Sequence, residues 1–175
     1  MKFETLSSQI LFEGRVFEVR RDQVRYPDGR IADFDLVQHG GAVAILPLDS
    51  EGRIWFVRQY RHAAGQMLLE LPAGTLEDDE APEACAHREI REEIGMAANK
   101  LELLGQFYLA PGYSSEIMYA YLATDLRKDP LEQDADEYLE AEAFLRGEVQ
   151  EMLRQNQIRD AKTIALLSMA RPFLQ

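Results

Sequence analysis

The chain has 175 residues, 46% of them hydrophobic and 29% charged, enough apolar content to bury a core in one domain or a small domain plus an appendage, which excludes a chain disordered by composition. A formal charge of −12 argues against nonspecific nucleic-acid binding, which needs basic patches, and implies that a phosphorylated substrate would require cations to bridge the repulsion. The lone cysteine, Cys85, excludes an intramolecular disulfide and fits a reducing compartment.

The opening run MKFETLSSQILFEGRVFEVRRD lacks the apolar stretch of a signal peptide, and no segment approaches the roughly 18 apolar residues of a membrane span. A cytoplasmic location is the expectation. The first 40 residues read as strands: GRVFEVRRDQVRYPDGRIADFDLVQHG alternates apolar and polar residues around a turn at Tyr26 to Gly29, a hairpin pattern. A buried strand over Ala42 to Leu46, a turn at Asp49 to Gly52 and a strand over Ile54 to Tyr60 follow. A helix is predicted next, with Pro82 in its first turn, Asp79 and Glu80 at the positive end of its dipole and Gly95 as its stop. LELLGQFYLAPG and SSEIMYAYLATDL are strand-like runs joined by a Pro-Gly loop, and DADEYLEAEAF is an acidic loop leading into a short strand. Two helices close the chain, one from about Arg146 to Asn156 and one from near Asp160 to Met169. The irregular alternation of strands and helices indicates an α/β layered domain with a mixed sheet.

The segment GTLEDDEAPEACAHREIREEIGM, from Gly74 to Met96, crowds carboxylates onto the central helix. At 100° per residue, Glu89, Glu92 and Glu93 fall within an arc of about 100°. Like charges at these spacings repel, and no lysine lies between Lys2 and Lys100 to pair with them. A divalent cation is the economical counter-charge, since Mg²⁺ takes hard oxygen ligands from one or two carboxylates together with substrate phosphates. Ile90 and Ile94 lie on an adjoining face and anchor the helix in the core. A solvated acidic face is the plainer alternative. His39, His62 and His87 form no close-spaced metal motif, and Cys85, one turn before Glu89, reads as a small residue filling helix packing.

The same segment matches G-x5-E-x7-R-E-U-x-E-E-x-G-U, with U apolar, through Gly74, Glu80, Arg88, Glu89, Ile90, Glu92, Glu93, Gly95 and Met96. On this motif the chain resembles the Nudix hydrolases, which cleave nucleoside diphosphates linked to another moiety with Mg²⁺ or Mn²⁺. The resemblance implies a Nudix fold, an α/β/α sandwich with a mixed β-sheet. It implies metal binding by Glu89 and Glu93, with Glu92 completing the acidic cluster and the backbone carbonyl of Ala73 adding an oxygen. Arg88 would pair with Glu80 and orient the helix against the loop.

Three further stretches are similar to the ADP-ribose and nucleoside diphosphate sugar pyrophosphatases. LAPGYSSE carries Pro111, fifteen residues beyond the motif, and Glu116. VRQYRHAAGQMLLELPAG carries Arg58 and Arg61, whose guanidinium forks suit phosphate, and Glu70, which suits a ribose hydroxyl or a base. DADEYLEAEAF supplies Glu137 as general base, with Asp136 and then Glu116 as alternatives. The implied products are a nucleoside monophosphate and a sugar phosphate: AMP and ribose 5-phosphate from ADP-ribose, or GMP and a sugar 1-phosphate from GDP-mannose. The likeness also implies a division into an N-terminal antiparallel sheet, residues 1–40, exchanged in a homodimer, and a catalytic domain, residues 41–175. Phe17, Tyr26 and Phe34 are available to reach a partner's base pocket. A triphosphate or dinucleoside polyphosphate hydrolase, and a non-catalytic nucleotide-sugar sensor, remain as alternatives.

Overall fold

Alternating residues at the start of the chain become three long strands, β1 (Glu4–Glu13), β2 (Phe17–Arg25) and β3 (Ile31–His39), in an antiparallel sheet of that order. The computed structural model describes residues 2–132 and 138–174. The hairpin between β2 and β3 closes where the Gly29 N–H donates to the Tyr26 carbonyl at 3.0 Å, and Gly29 has φ +86°, a region that favours glycine. Cross-strand polar pairs lace the sheet: Arg21 grips Asp35 through two hydrogen bonds of 2.6 and 2.8 Å, and Arg25 reaches Glu4 at 2.8 Å. Both pairs are exposed and screened by solvent, so they add little to stability.

This sheet belongs to the smaller of two compact units, Met1–Gly41 with Tyr108–Ile117. The loop after Tyr108 is stitched to β3: the Val37 N–H donates to the Tyr113 carbonyl at 2.7 Å, the Ser115 N–H to the Val37 carbonyl at 3.0 Å, and the His39 N–H to Ser115 Oγ at 2.9 Å. The Pro-Gly connection is therefore part of the unit that holds the N-terminal strands, a long-range pairing that local sequence does not announce.

The second unit is Ala42–Phe107 with Met118–Gln175. Its strands are β4 (Ala42–Pro47), β5 (Arg53–Arg61), β6 (Gln66–Glu70), β7 (Ala73–Thr75), β8 (Met96–Tyr108), β9 (Ile117–Lys128) and β10 (Leu139–Leu145). Its helices are α1 (Pro82–Ile94), α2 (Arg146–Arg154) and α3 (Ala161–Met169). One sheet has the order β10-β5-β6 and the other β7-β4-β9-β8, with β4 parallel to β9 and antiparallel to β7, so the expected mixed α/β architecture is present. Val43 and Ile45 of β4, Val57 of β5, Ala86, Ile90 and Ile94 of α1, Tyr121 and Ala123 of β9 and Leu139 of β10 form one buried cluster. Every residue of β4 is buried, and its continuous apolar run marks a strand covered on both faces.

Several boundaries differ from the sequence-based expectation. β8 starts at Met96, directly after the helix stop, because Ala97 and Ala98 are buried at 6% exposure each despite weak intrinsic strand preference. β7 is three residues long and forms only by pairing with β4, Ala44 opposite Ala73. α2 ends at Arg154, two residues early, and Asn156 has φ +55°. Among the described residues, no helix is long and apolar enough to cross a membrane.

Candidate active site

α1 begins with Pro82 at its first position and ends at Gly95, whose φ of +70° allows its N–H to cap the Ile90 carbonyl. No side chain caps the N-terminus, and Glu83 is the acid in the first turn. Asp79 and Glu80 were expected to serve the helix dipole; Glu80 turns instead to Arg88. Cys85, Ala86, Ile90 and Ile94 fix the packing face, and Glu89 and Glu93 are buried with them at 8% and 2% exposure. Buried carboxylates are sustained only by strong partners.

For Glu89 one such partner is Arg88. Its Nε and Nη2 grip the two oxygens of Glu80 at 3.0 and 2.9 Å, while Nη1 donates to Glu89 Oε1 at 2.5 Å and to Glu92 Oε2 at 3.0 Å. The carboxylate stripe thus has part of its counter-charge from its own helix, in the guanidinium of Arg88, which the expectation of a divalent cation alone had not counted. One guanidinium carries five donors in a planar fork and here makes four hydrogen bonds to three acids, one more than the three N–H groups of a lysine could supply. The hydrogen bond to Arg88 is the main cause that holds the Glu80 carboxyl at about 2, against an ordinary 4.5, and Glu80 in turn raises Arg88. Burial, with Glu89 nearby, pushes the Cys85 thiol up, so it is an inert packing residue.

The second anchor is backbone. The Ala73 N–H donates to Glu93 Oε2 at 3.0 Å, which ties α1 to β7. Next to it, a methyl group on Gly74 would overlap the carboxylate of Glu89, so any larger residue there would push that carboxylate aside. Among the described residues no three His, Cys, Asp or Glu side chains are gathered into a ready cage. The donor chemistry nevertheless suits a hard divalent cation: Glu89, Glu92 and Glu93 from one helix, with the Ala73 carbonyl on the strand against which Glu89 and Glu93 pack. The Gly74 cradle keeps the Glu89 carboxylate next to that strand.

Arg58 and Arg61 are three apart on the same strand and therefore point to opposite faces. Arg58 pairs with Glu142 of β10 at 2.6 Å. Arg61 grips both oxygens of Glu70, at 2.9 and 2.8 Å, and also feels the charge of Glu93, which places it in the electrostatic field of the acidic helix. Glu70, expected to meet a ribose or a base, is 1% exposed and bound by Arg61 and Lys162. Burial raises its pKa, but the two cations outweigh burial and hold it below the ordinary carboxylate value. Its carboxylate oxygens are thus taken up by Arg61 and Lys162.

Pro111 lies exposed in the loop of the smaller unit, where the Tyr113 and Ser114 N–H groups close a turn on the Ala110 carbonyl. Glu116 follows, its N–H donating to Ser114 Oγ at 3.2 Å. Phe17 and Phe34 are exposed, and Tyr26 is stacked between Phe34, at 6.3 Å, and the edge of Phe3, at 5.2 Å. Glu137 and Asp136 lie outside the described residues. Sequence reasoning missed Asp160, Lys162 and Thr163, which gather on Glu70 and Leu71. The signal was a helix start, Asp-Ala-Lys-Thr, with a lysine opening an otherwise apolar helix.

Comparison with known proteins accords with this geometry. The NUDIX domain model matches residues 38–167, and the nucleoside diphosphate sugar hydrolase N-terminal domain model matches residues 3–37. The chain is 49% identical over 127 residues to the ADP-ribose pyrophosphatase of Mycobacterium tuberculosis, covering 72% of this chain and 61% of that protein. It is 35% identical over 162 residues to the ADP-ribose pyrophosphatase of Bacillus subtilis, covering 91% and 88%. It is 33% identical over 163 residues to the methanol dehydrogenase activator of Bacillus methanolicus, covering 92% and 88%. A crystal structure of an ADP compounds hydrolase superposes with a TM-score of 0.86 at 24% identity, over 99% of this chain and 95% of the other, which establishes the fold. The family model spans most of the chain, including the helix on which Arg88 gathers its carboxylates, and the chain belongs to the Nudix family of hydrolases.

Proposed function

We propose that this chain hydrolyses the pyrophosphate bond of ADP-ribose or a related nucleoside diphosphate sugar, giving a nucleoside monophosphate and a sugar phosphate. The observation that carries the reading is the packing of two buried carboxylates, Glu89 and Glu93, against the backbone of Ala73 and Gly74. Relatives named as ADP-ribose pyrophosphatases support the substrate class. Mg²⁺ or Mn²⁺ would be held by Glu89, Glu92, Glu93 and the Ala73 carbonyl; when bound, such an ion screens phosphate charge and acidifies water.

The chain's own residues do the rest. Arg88 keeps Glu89, Glu92 and Glu80 in register, so these three need not repel one another before substrate arrives. Arg61, held by Glu70, offers positive charge toward the same region, which suits a pyrophosphate oxygen. Arg58, Pro111 and Glu116 are assigned to substrate binding and Glu137 to removal of the proton from the attacking water, with Asp136 as its neighbour in that role. Residues 1–40 are assigned as the exchange element of a homodimer, supported by exposed Phe3, Ile10, Phe12, Phe17 and Phe34 on a small sheet.

The test is a substrate panel of ADP-ribose, GDP-mannose, other nucleoside diphosphate sugars, dinucleoside polyphosphates and nucleoside triphosphates, each with Mg²⁺ or Mn²⁺ and with chelator. Products identified as a monophosphate and a sugar phosphate, abolished by chelation, are expected. Preferred turnover of triphosphates or dinucleoside polyphosphates would replace the substrate class, and binding without turnover would leave a sensor.

A further inference from the structure

Residues 71–73, which lead from β6 into β7, are each held by a different part of the unit. The Leu71 N–H donates to Thr163 Oγ1 of α3 at 2.8 Å, the Pro72 carbonyl accepts from the Ile45 N–H of β4 at 2.8 Å, and the Ala73 N–H donates to Glu93 of α1 at 3.0 Å. Just before it, Glu70 is 1% exposed and bound by Arg61 and Lys162. Lys162, 7% exposed, also reaches Asp160 at 3.1 Å, and Asp160 caps α3 by accepting from the Thr163 N–H at 2.9 Å and its hydroxyl at 2.6 Å. Two cations and two carboxylates balance in this cluster. Removing one would strand a buried charge.

We propose that Lys162 and Thr163, on the first turn of α3, are positioning residues for the metal site: they clamp residues 70–73 so that the Ala73 backbone and the Arg61 guanidinium are presented at fixed positions to the carboxylates of α1. The inference rests on the metal reading above. Thr163 acts on the strand through Leu71, two residues from Ala73, and Lys162 acts on Arg61 through their shared partner Glu70. Neither touches the ion, and each stands one link beyond the hydrogen bonds made to metal ligands themselves, whose loss typically weakens metal affinity by 10–100-fold, so the low end of that range is expected.

The experiment measures Mn²⁺ affinity from the free-ion paramagnetic resonance signal, without substrate, for wild type, Thr163→Val, Thr163→Ser, Lys162→Met and Glu93→Gln, with circular dichroism as the check on folding. Thr163→Val and Lys162→Met should weaken Mn²⁺ binding by about tenfold or more, Thr163→Ser should stay near wild type, and Glu93→Gln should lose binding. Should the valine and methionine variants not fold, amide exchange of the wild type serves instead: added Mn²⁺ should slow exchange at Leu71 together with Ala73. Mn²⁺ binding within twofold of wild type in both clamp variants, or a Leu71 amide indifferent to Mn²⁺, overturns the clamp. Wild-type binding by Glu93→Gln overturns the metal reading itself and the clamp with it.

Discussion

Arg88 and Gly74 show how much of the site turns on single residues. Arg88 reaches Glu80, Glu89 and Glu92 at once, and Gly74 leaves room for the Glu89 carboxylate where any Cβ would collide with it. Gly74→Ala should therefore displace that carboxylate and cost at least about tenfold in Mn²⁺ affinity, while circular dichroism stays native. Glu93→Gln keeps shape but removes charge, and turnover should fall by orders of magnitude in a folded protein; near-normal turnover would remove Glu93 from the site. A general base contributes about 10² to 10⁴ in rate, so Glu137→Gln should lower kcat by that span with little change in substrate affinity, and Asp136→Asn by much less. Steady-state kinetics on both variants, beside a metal titration, separates a lost base from a lost cation. The reverse ranking would move the base by one residue, and two active variants would pass the role to Glu116 or to metal-generated hydroxide.

At the scale of the element, α1 serves two purposes that are usually kept apart. Its apolar side inserts Ile90, fully buried, into a cluster drawn from β4, β5, β9 and β10, and its acidic side abuts β7. Ile90→Ala should cost about 2–5 kcal/mol of stability, read from denaturant unfolding, because the surrounding strands cannot collapse onto the void. The Glu80–Arg88 pair gives the loop before α1 a pH dependence of known sign. The Glu80 carboxyl is held at about 2 in the folded chain against an ordinary 4.5, so its stabilisation is complete above pH 4.5 and is lost as the pH falls toward 2. Glu80→Gln should flatten the acid limb of the stability curve across that window. An unchanged limb would show that the pair contributes nothing to folding.

For the whole molecule, the division into two units assigns different work to different lengths of chain. The unit of Met1–Gly41 and Tyr108–Ile117 exposes aromatic and aliphatic side chains on a small sheet, a surface that a partner subunit would cover. A homodimer is expected by light scattering, and deletion of residues 1–38 should yield a monomer or an insoluble product. A well-behaved, fully active monomer after that deletion would show that the N-terminal strands are not an exchange element.

Local chemistry sufficed for much of this protein. The hairpin about Tyr26–Gly29, the buried β4 and the span of α1 from Pro82 to Gly95 follow from residue periodicity, proline, glycine and turn preference, each of which acts over a few residues. The spacing of Gly74, Glu80, Arg88, Glu89, Glu92 and Glu93 placed the acidic face on one helix for the same reason. What the sequence by itself left open depends on contacts between distant segments. Opposite facing of Arg58 and Arg61 was implicit in strand parity, but the burial of Glu70 required Lys162, 92 residues away, to arrive beneath it. The three-residue β7 exists only because β4 lies beside it, and the loop of Pro111 joins β3 through hydrogen bonds that no local preference encodes. Such choices belong to the tertiary structure because a buried charge or an unpaired N–H is tolerable only when its partner is brought to it from elsewhere in the chain.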